Sequence, residues 1–556
     1  MALTLLISIG VFGVTSTMLI FVSVLILRAH RRITWHTLTP AQRSLLIDAT
    51  LIVFLFLLAL ILRLPYLHDV PRYPWDELRE SGVALSLARG EAFPLTNFDS
   101  YIGALYNYIL AGAFFVFGEH PGVPHLVVAF ICSATAPILY LFGKEIDGRA
   151  TGLIAATLFS CNAQQIFNGS HWGYSNSLTP VFSTLALWLI WRALKRERPW
   201  SLLGGAFAFG LALQTHPGAI VLVPAIVIVF FFDGRQWFRG RWPFFAIGAA
   251  ALGYANVIVY NIATRGGGLA AGLAQREHYA AGRSLTLEMY PSHFLRGIGM
   301  FMSLFEGSGI WGDTPVPWWL QTLLFGVLLV SLLIGYGLLV LRRDYLIPLA
   351  LISSLVFVPL LAGYWVDHHR YWMLTLPPGL IAIALTITSA ARWAAARYVA
   401  WPIYAVTSLM VGMLAAYPLP ALWRMYAARA QVHPTNREME RLAALVQNSV
   451  VTGEIVLVDE AILTTPKPDE SSAARTLSYL LLLNRVPAIT VHHEDLPKWA
   501  FAQTGQSFLL IVPPSSPVLA SDVDRTPGER FHVEPDTRSP PEDLGLSVRL
   551  VHVRSQ

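Results

Sequence analysis

Apolar residues in this chain occur in long continuous runs that are separated by short polar turns. Most runs are about 20 residues long, which is the length that an α-helix needs to cross the hydrocarbon core of a bilayer. The pattern therefore predicts a polytopic α-helical membrane protein with about twelve transmembrane helices. The predicted crossings are residues 3–27, 45–62, 124–142, 151–168, 178–194, 200–215, 217–232, 243–262, 318–341, 346–362, 372–391 and 399–417.

The turns between these helices differ in charge, and the difference predicts an orientation. Because basic loops remain cytoplasmic, the basic turns are predicted inside and both chain termini outside. The run at 101–117 would break this alternation if it crossed the membrane. Since it is short and rich in aromatic residues and glycine, we interpret it as a half-embedded interfacial helix. The basic turns are residues 28–32, 143–149, 192–198, 235–241, 342–343 and 392–397.

The chain changes character near residue 420, where the long apolar runs end. Residues 436–447 have a polar helical pattern, whereas 454–458 and 508–512 are short runs typical of β-strands. Strands that alternate with helices predict a small soluble α/β domain at 420–556, outside the membrane, with an irregular final stretch and a solvated strand end at Asp459 and Glu460. The membrane domain is then 1–419, with outer loops at 63–123 and 263–317.

Composition narrows the class of protein further. Of the 556 residues, 55% are hydrophobic and 13% are charged, whereas a soluble protein carries roughly a quarter charged residues. The net charge of +5 is explained by the basic turns, so we expect membrane lipids and no nucleic acid as partners. Cys132 and Cys161 both fall inside apolar runs, which predicts two inert thiols.

The candidate chemistry begins just after the crossing at 45–62, where Asp76, Glu77 and Arg79 lie close to the membrane surface. One interpretation is structural: a helix starts here, Asp76 caps it, and Glu77 suits the helix dipole. The other is catalytic: a carboxylate held at the surface accepts the proton of an attacking hydroxyl. The two are compatible, because a cap also determines where the carboxylate points. We therefore predict Asp76 as a general base and Glu77 as a supporting residue.

A base at the membrane surface suits a lipid substrate whose phosphate is the leaving group. Such a group needs positive charge or clustered donors, which arginine and histidine in the predicted outer turns can supply. Neighbouring Asp367, His368 and His369 are too compact a set to predict a metal site. The turn at 265–268 lacks the lysine of a phosphate loop and is interpreted as flexible. The phosphate candidates are Arg79, His171, His216, Arg265, Arg276, His278, Arg283, His368, His369 and Arg370.

Several motifs, in their order along the chain, resemble the GT-C membrane glycosyltransferases. The similarity is to the group that contains the dolichyl-phosphate-mannose protein mannosyltransferases and the aminoarabinose transferases. It rests on Asp76-Glu77-x-Arg79, on residues 84–94, 141–144 and 148–156, and on Arg370-Tyr371 before Leu376-Pro377-Pro378.

The resemblance implies an inverting transfer of a single sugar from a polyprenyl-phosphate donor to a hydroxyl of a lipid, glycan or protein. It implies Asp76 as the base, Arg79 near the donor phosphate, and Arg370 with Tyr371 in a late outer motif. No nucleotide, metal or other cofactor is implied. The expected location is a bacterial plasma membrane, with the active site and the C-terminal domain facing outside.

The sequence departs from the group at positions that concern the donor phosphate rather than the base. Asn176 stands where the group has an acid, His216 where it often has a lysine, and a proline pair is missing near residues 100–105. A non-catalytic scaffold of the same fold therefore stays open as an alternative. A transporter is the other alternative, although it would be expected to show charges in mid-membrane and broken helices, which the pattern does not predict.

Overall fold

The computed structural model describes residues 39–65, 67, 75–280, 288–306, 318–362, 366, 368–420, 422–424, 426, 436–450, 454–459, 473–491, 508–512, 531–535 and 549–555. The predicted helix at 3–27 lies outside the described residues. The helices that are long and apolar enough to cross a membrane identify an integral membrane protein, as predicted, while the number of crossings stays a prediction. They are Pro40–Arg63, Val123–Asp147, Ser175–Arg196, Thr322–Leu341 and Met373–Ala395, together with the bent pair Trp242–Gly253 and Ala255–Ala263.

The helices of the described residues are numbered in chain order. The first ten are α1 Pro40–Arg63, α2 Trp75–Ala88, α3 Leu105–Phe117, α4 Val123–Ser133, α5 Thr135–Asp147, α6 Arg149–Cys161, α7 Ala163–Asn168, α8 Thr179–Arg196, α9 Pro199–Thr215 and α10 Val223–Asp233. The next ten are α11 Trp242–Gly253, α12 Ala255–Ala263, α13 Gly267–Ala280, α14 Tyr290–Glu306, α15 Trp318–Leu341, α16 Leu346–Ala362, α17 Leu376–Ala395, α18 Ala400–Ala416, α19 Asn436–Ser449 and α20 Ala473–Leu483. Short 3-10 turns lie at Ser175–Leu178, Pro217–Leu222, Arg235–Arg239, His369–Tyr371 and Met373–Thr375.

The chain divides into two compact units, and neither is a continuous stretch. Unit 1 consists of Met1–Pro65, Pro94–Tyr106 and Val128–Met425. Unit 2 consists of Tyr66–Phe93, Asn107–Val127 and Tyr426–Gln556. Two segments of the predicted first outer loop are therefore grouped with the C-terminal tail. The predicted division into domains 1–419 and 420–556 stays a prediction.

Helices α6 and α7 of unit 1 replace a crossing that was predicted as one helix at 151–168. The chain turns at Asn162, whose side-chain oxygen accepts a hydrogen bond from the Gln165 N–H at 3.0 Å. Its amide nitrogen donates to the Leu304 carbonyl oxygen at 2.6 Å. Because an asparagine cap satisfies a free N–H at a helix start, it begins α7 in a new direction.

A second break divides the crossing that was predicted at 243–262. Helices α11 and α12 meet at an angle of 76°. The Gly253 carbonyl at this bend accepts a hydrogen bond from the Gln214 side chain at 2.9 Å, so a side chain satisfies the backbone where the helix is interrupted. The expectation of unbroken helices, which weighed against a transporter, is therefore wrong.

One end of unit 1 collects the charged side chains of several helix ends. We call this set the charged end, and it is formed by acids that each lie beside one or more cations. The predicted basic turns around residues 143–149, 192–198, 342–343 and 392–397 thus meet here, while the side of the membrane that they face stays a prediction. The pairs are Asp48 with Lys144 and Arg149, Glu145 with Arg192, Asp147 with Arg342 and Arg392, and Lys195 with Asp233 and Asp344.

The tail in unit 2 contains a five-stranded sheet of order β2-β1-β3-β5-β4. β1 pairs in parallel with β2 and β3, whereas β5 pairs antiparallel with β3 and β4. The runs predicted as strands at 454–458 and 508–512 are indeed strands β1 and β3. The strands are β1 Ile455–Asp459, β2 Ala488–Val491, β3 Phe508–Val512, β4 Phe531–Pro535 and β5 Arg549–Ser555.

Two expectations for the tail are wrong. The final stretch, predicted as irregular, contains β4 and β5, which form the antiparallel half of the sheet. Asp459, predicted at a solvated strand end, is fully buried because β1 lies between two neighbouring strands. Glu460 lies outside the described residues.

The predicted later outer loop at 263–317 contains the helices α13 and α14. The turn that we interpreted as flexible is a compact one, in which Arg265 has φ 54° and Gly266 has φ 92°. A positive φ suits glycine, because it has no Cβ to clash with the backbone. Gly267 already belongs to α13.

Candidate active site

Asp76 lies in the first turn of α2, which begins one residue earlier at Trp75. It is therefore inside the helix rather than at the cap position that the sequence predicted. The carboxylate is half-buried, and the positive end of the helix dipole stabilises it there. Arg79 follows three residues later and is also half-buried, so it lies on the same face of α2, one turn away.

Glu77 points into the interior of unit 2, where it contacts His125 at the start of α4. Both side chains are fully buried, and the Glu77 Oε1 to His125 Nε2 distance is 2.7 Å. His125 Nδ1 lies 3.1 Å from the Leu67 carbonyl oxygen. A carbonyl can only accept, so Nδ1 carries a proton and a further proton is held between Nε2 and Glu77. This buried pair ties the first turn of α2 to α4, while the supporting role of Glu77 in catalysis stays a prediction.

The C-terminal helix α20 adds further contacts around α2 within unit 2. Tyr479 is buried beside Ser81 and Glu77, and burial raises its pKa. Arg89, just after α2, donates to Glu119 at 2.6 Å and to the Leu482 carbonyl at 2.8 Å. The hydrogen bonds from Arg89 lower the pKa of Glu119. The tail is thus part of the structure that holds the helix of Asp76.

Unit 1 contains a polar cavity between α7 and the turns at 174–177 and 369–373. Gln165 and Asn168, three residues apart on α7, both line it. Asn176 also lines it and accepts a hydrogen bond from the Thr179 hydroxyl at 3.3 Å. Arg370 is the cation of this cavity. The structure therefore brings the predicted residues Asn176 and Arg370 together.

His216 lies beside this group, with its ring 5.6 Å from that of Tyr371. Tyr371 also contacts Arg370, whose guanidinium carbon lies 5.1 Å from the Tyr371 ring centre. The Gly218 N–H donates to His216 Nδ1 at 2.9 Å, which requires an unprotonated Nδ1. Although the ring keeps some solvent contact, the surrounding protein and the Arg370 charge lower the pKa of His216 to about 3. His216 is therefore a neutral donor through Nε2, not the cation that would contribute fully to phosphate binding.

The other predicted phosphate residues have separate positions. His171 is fully buried, stacks on Phe167 at 5.8 Å, and has Nδ1 2.6 Å from the Ser170 hydroxyl. His369 lies half-buried in the 3-10 turn before Arg370. Arg276 and His278 belong to α13, but their side chains are not among those described. Asp76, Glu77 and Arg79 belong to unit 2, whereas the remaining predicted site residues belong to unit 1.

Sequence reasoning missed four polar residues that the structure buries. Their common signal was a polar side chain inside or beside an apolar run, which is costly unless it is paired or functional. Arg63, at the end of α1, is fully buried, and its guanidinium carbon lies 5.8 Å from the Phe159 ring centre. Among the described residues, no three His, Cys, Asp or Glu side chains come together as a metal site. The missed residues are Arg63, His125, Gln165 and Asn168.

Comparisons with known proteins agree with the resemblance predicted from the motifs. Residues 103–260 match the family model described as "Dolichyl-phosphate-mannose-protein mannosyltransferase", which is less than half of the chain. None of the curated proteins matches the sequence. The resemblance to the GT-C group is therefore confirmed by the family match and by the structures that follow.

Three solved structures share the fold at low sequence identity. ArnT from Cupriavidus metallidurans bound to undecaprenyl phosphate is 13% identical, with 90% of this chain and 97% of ArnT covered and a TM-score of 0.59. The apo form of the same protein is 13% identical, with 93% of this chain and 98% of ArnT covered and a TM-score of 0.53. The archaeal oligosaccharyltransferase AglB from Archaeoglobus fulgidus, in complex with an inhibitory peptide and a dolichol-phosphate, is 12% identical, with 78% of this chain and 63% of AglB covered and a TM-score of 0.51. At these identities the likeness shows the fold alone.

Proposed function

We propose that this chain is an inverting glycosyltransferase that moves a single sugar from a polyprenyl-phosphate donor to a hydroxyl acceptor on the outer face of a bacterial plasma membrane. The observation that carries the proposal is Asp76, a half-buried carboxylate in the first turn of α2. The adjacent Glu77–His125 pair holds that turn in place. The fold shared with proteins solved with undecaprenyl phosphate or dolichol-phosphate supports the class of donor.

In the proposed reaction, Asp76 accepts the proton of the acceptor hydroxyl while the hydroxyl oxygen attacks the anomeric carbon of the donor sugar. The bond between that carbon and the phosphate oxygen breaks, and the electron pair leaves with the polyprenyl phosphate. Attack on the side opposite the leaving group inverts the anomeric configuration.

The charge that develops on the leaving phosphate needs fixed donors. Arg79, one turn along α2 from Asp76, is our candidate, because a guanidinium can bind a phosphate with two parallel hydrogen bonds.

The test is transfer from a radiolabelled polyprenyl-phosphate sugar by the purified full-length chain. Asp76→Asn should lower the transfer rate by about 10²- to 10⁴-fold, because an amide cannot accept the proton. Glu91→Gln is the matched control, since Glu91 is an exposed acid shortly after the same helix. Size-exclusion profiles of both variants should match that of the wild type.

Full transfer activity in Asp76→Asn would show that the base is elsewhere. A wild-type chain that binds the donor lipid but transfers no sugar to lipid, glycan or protein acceptors would favour the non-catalytic scaffold instead.

A further inference from the structure

Two of the residues that line the cavity of unit 1, Gln165 and Asn168, have buried amide oxygens that the protein leaves unused. Gln165 and Asn168 are 1% and 4% exposed. Among the described residues, neither Gln165 Oε1 nor Asn168 Oδ1 has a hydrogen-bond partner. The Asn168 amide nitrogen donates to the Gln164 carbonyl at 2.8 Å, which determines the orientation of this amide and leaves its oxygen as the unused atom. A buried amide oxygen without a protein partner can gain a hydrogen bond from a water or from a donor group of a ligand.

The size of the cavity limits what can satisfy these oxygens. The centre of a water-sized sphere can reach about 10 Å³ of it, which is close to the lower limit of about 10–15 Å³ that a water molecule requires. A water or one hydroxyl group of a larger ligand is the largest polar group that fits. The rest of such a ligand would extend through the open side.

The residues that line the cavity favour a hydroxyl group over an ammonium group as the bound group. The polar residues that line the cavity are Gln165, Asn168, Tyr174, Asn176, Ser177 and Arg370, and none of the described lining residues is an aspartate or glutamate. Amide oxygens accept hydrogen bonds well from a neutral hydroxyl. An ammonium group buried beside Arg370 with no carboxylate partner would instead be an uncompensated charge.

We infer that this cavity binds a hydroxyl group of the donor sugar and thereby selects a neutral sugar over an amino sugar. The inference rests on the proposed function, because it names the class of sugar that the transferase accepts. Gln165 and Asn168 are the specificity residues, and their amide oxygens share the hydrogen bond that the sugar hydroxyl donates. Asn176, a neutral residue that also lines the cavity, agrees with a neutral ligand.

The experiment measures binding of three lipids to the full-length protein in nanodiscs: polyprenyl phosphate, polyprenyl-phosphate mannose and polyprenyl-phosphate aminoarabinose. The wild type should bind the mannose lipid about tenfold more tightly than the aminoarabinose lipid. Gln165→Leu and Asn168→Leu should each weaken binding of the mannose lipid by about tenfold. Neither substitution should change the affinity for polyprenyl phosphate without a sugar.

Two further variants test whether Gln165 determines the preference for a neutral sugar. Gln164→Leu is the matched control, because Gln164 is an adjacent glutamine on α7 with the same 1% exposure and does not line the cavity. It should bind all three lipids as the wild type does. Gln165→Glu adds a carboxylate of nearly the same shape and should shift the preference toward the aminoarabinose lipid by pairing with its ammonium group.

The possible failures are distinguishable. If Gln165→Leu and Asn168→Leu bind the mannose lipid normally, the cavity holds only a structural water and the inference is wrong. If the wild type binds the two sugar lipids equally and still transfers sugar, the inference fails while the proposed function stands. If it binds none of the three lipids, the proposed function fails together with the inference.

Discussion

The two ends of unit 1 treat buried polar groups in opposite ways. At the charged end, Asp48 accepts hydrogen bonds from Tyr140 at 2.6 Å and from Arg149 at 2.8 Å, and it also pairs with Lys144. In α7, the short helix that follows the far end of α6, Gln165 and Asn168 each keep a buried oxygen without a partner among the described residues. We call this second region, formed by Gln165, Asn168, Asn176, His216 and Arg370, the amide end.

This difference indicates that the first region contributes to stability, whereas the second can bind a ligand. Asp48, whose two oxygens are both paired, contributes to the folded state and leaves no atom for a ligand. Unused buried acceptors cost about 1–3 kcal/mol each, and natural proteins keep such costs mainly where function needs them. The charged end is therefore a structural region, and the amide end is the place in unit 1 where a ligand would gain most.

The largest effect is expected at the charged end. Asp48→Asn would leave the Lys144 and Arg149 cations facing a neutral amide and should lower the free energy of unfolding by about 2–3 kcal/mol. The midpoint of thermal unfolding in detergent, followed by size exclusion after heating, measures this. Asp233→Asn is the control, because Asp233 lies 3.6 Å from Lys195 and is more exposed, so it should lose less than about 1 kcal/mol. Equal stability of Asp48→Asn and the wild type would remove the contrast between the two ends.

An intermediate effect is expected for the pH dependence of His216. The ring stays neutral in the folded state down to a pKa of about 3, whereas the unfolded ring takes up a proton near about pH 6.5. The contribution of the neutral His216 ring to the free energy of unfolding is thus complete above about pH 6.5. It falls as the pH decreases toward the folded pKa, by about 1–2 kcal/mol at about pH 5. His216→Asn should reduce this acid-dependent loss, because asparagine cannot take up the proton but still accepts the Gly218 N–H.

The matching variant His216→Ala removes the acceptor as well and should be about 1 kcal/mol less stable than His216→Asn at all pH values. Thermal unfolding of the three proteins across the pH range separates the two contributions. An acid-dependent loss that is identical in the wild type and His216→Asn would mean that His216 titrates normally in the folded protein.

The smallest effect is expected for Gln165→Leu, and its sign is opposite to that of Asp48→Asn. Removing an acceptor that has no partner should leave the free energy of unfolding unchanged or raise it by up to about 1 kcal/mol. The same unfolding assay measures it, with Gln164→Leu beside it. A clear loss of stability that is specific to Gln165→Leu would show that its oxygen already has a structural partner.

Several features of this chain could be predicted from its sequence. The apolar runs located the helices of the membrane region, and the runs at 454–458 and 508–512 located two strands of the tail sheet. The motif around Asp76 and Arg79 indicated the related group, which the family match to residues 103–260 supports. These predictions succeeded because each depends on residues that are close together along the chain.

The failures involve residues that are distant along the chain. Asn162 breaks a crossing because its side chain reaches both Gln165 and the carbonyl of Leu304. Glu77 contacts His125, which lies 48 residues later in the sequence. The tail helix α20 contributes Tyr479 beside Ser81, a contact between distant positions that no local pattern predicts.

The sequence by itself determined that this is a membrane protein with its long helices, because the free energy of transferring a helix into a bilayer follows from the residues within that helix. The tertiary structure alone decided which buried polar side chains are satisfied. Hydrogen bonds extend over only about 3 Å, so whether Asp48 is fully paired and Gln165 Oε1 is not depends on which distant residues the fold brings next to them.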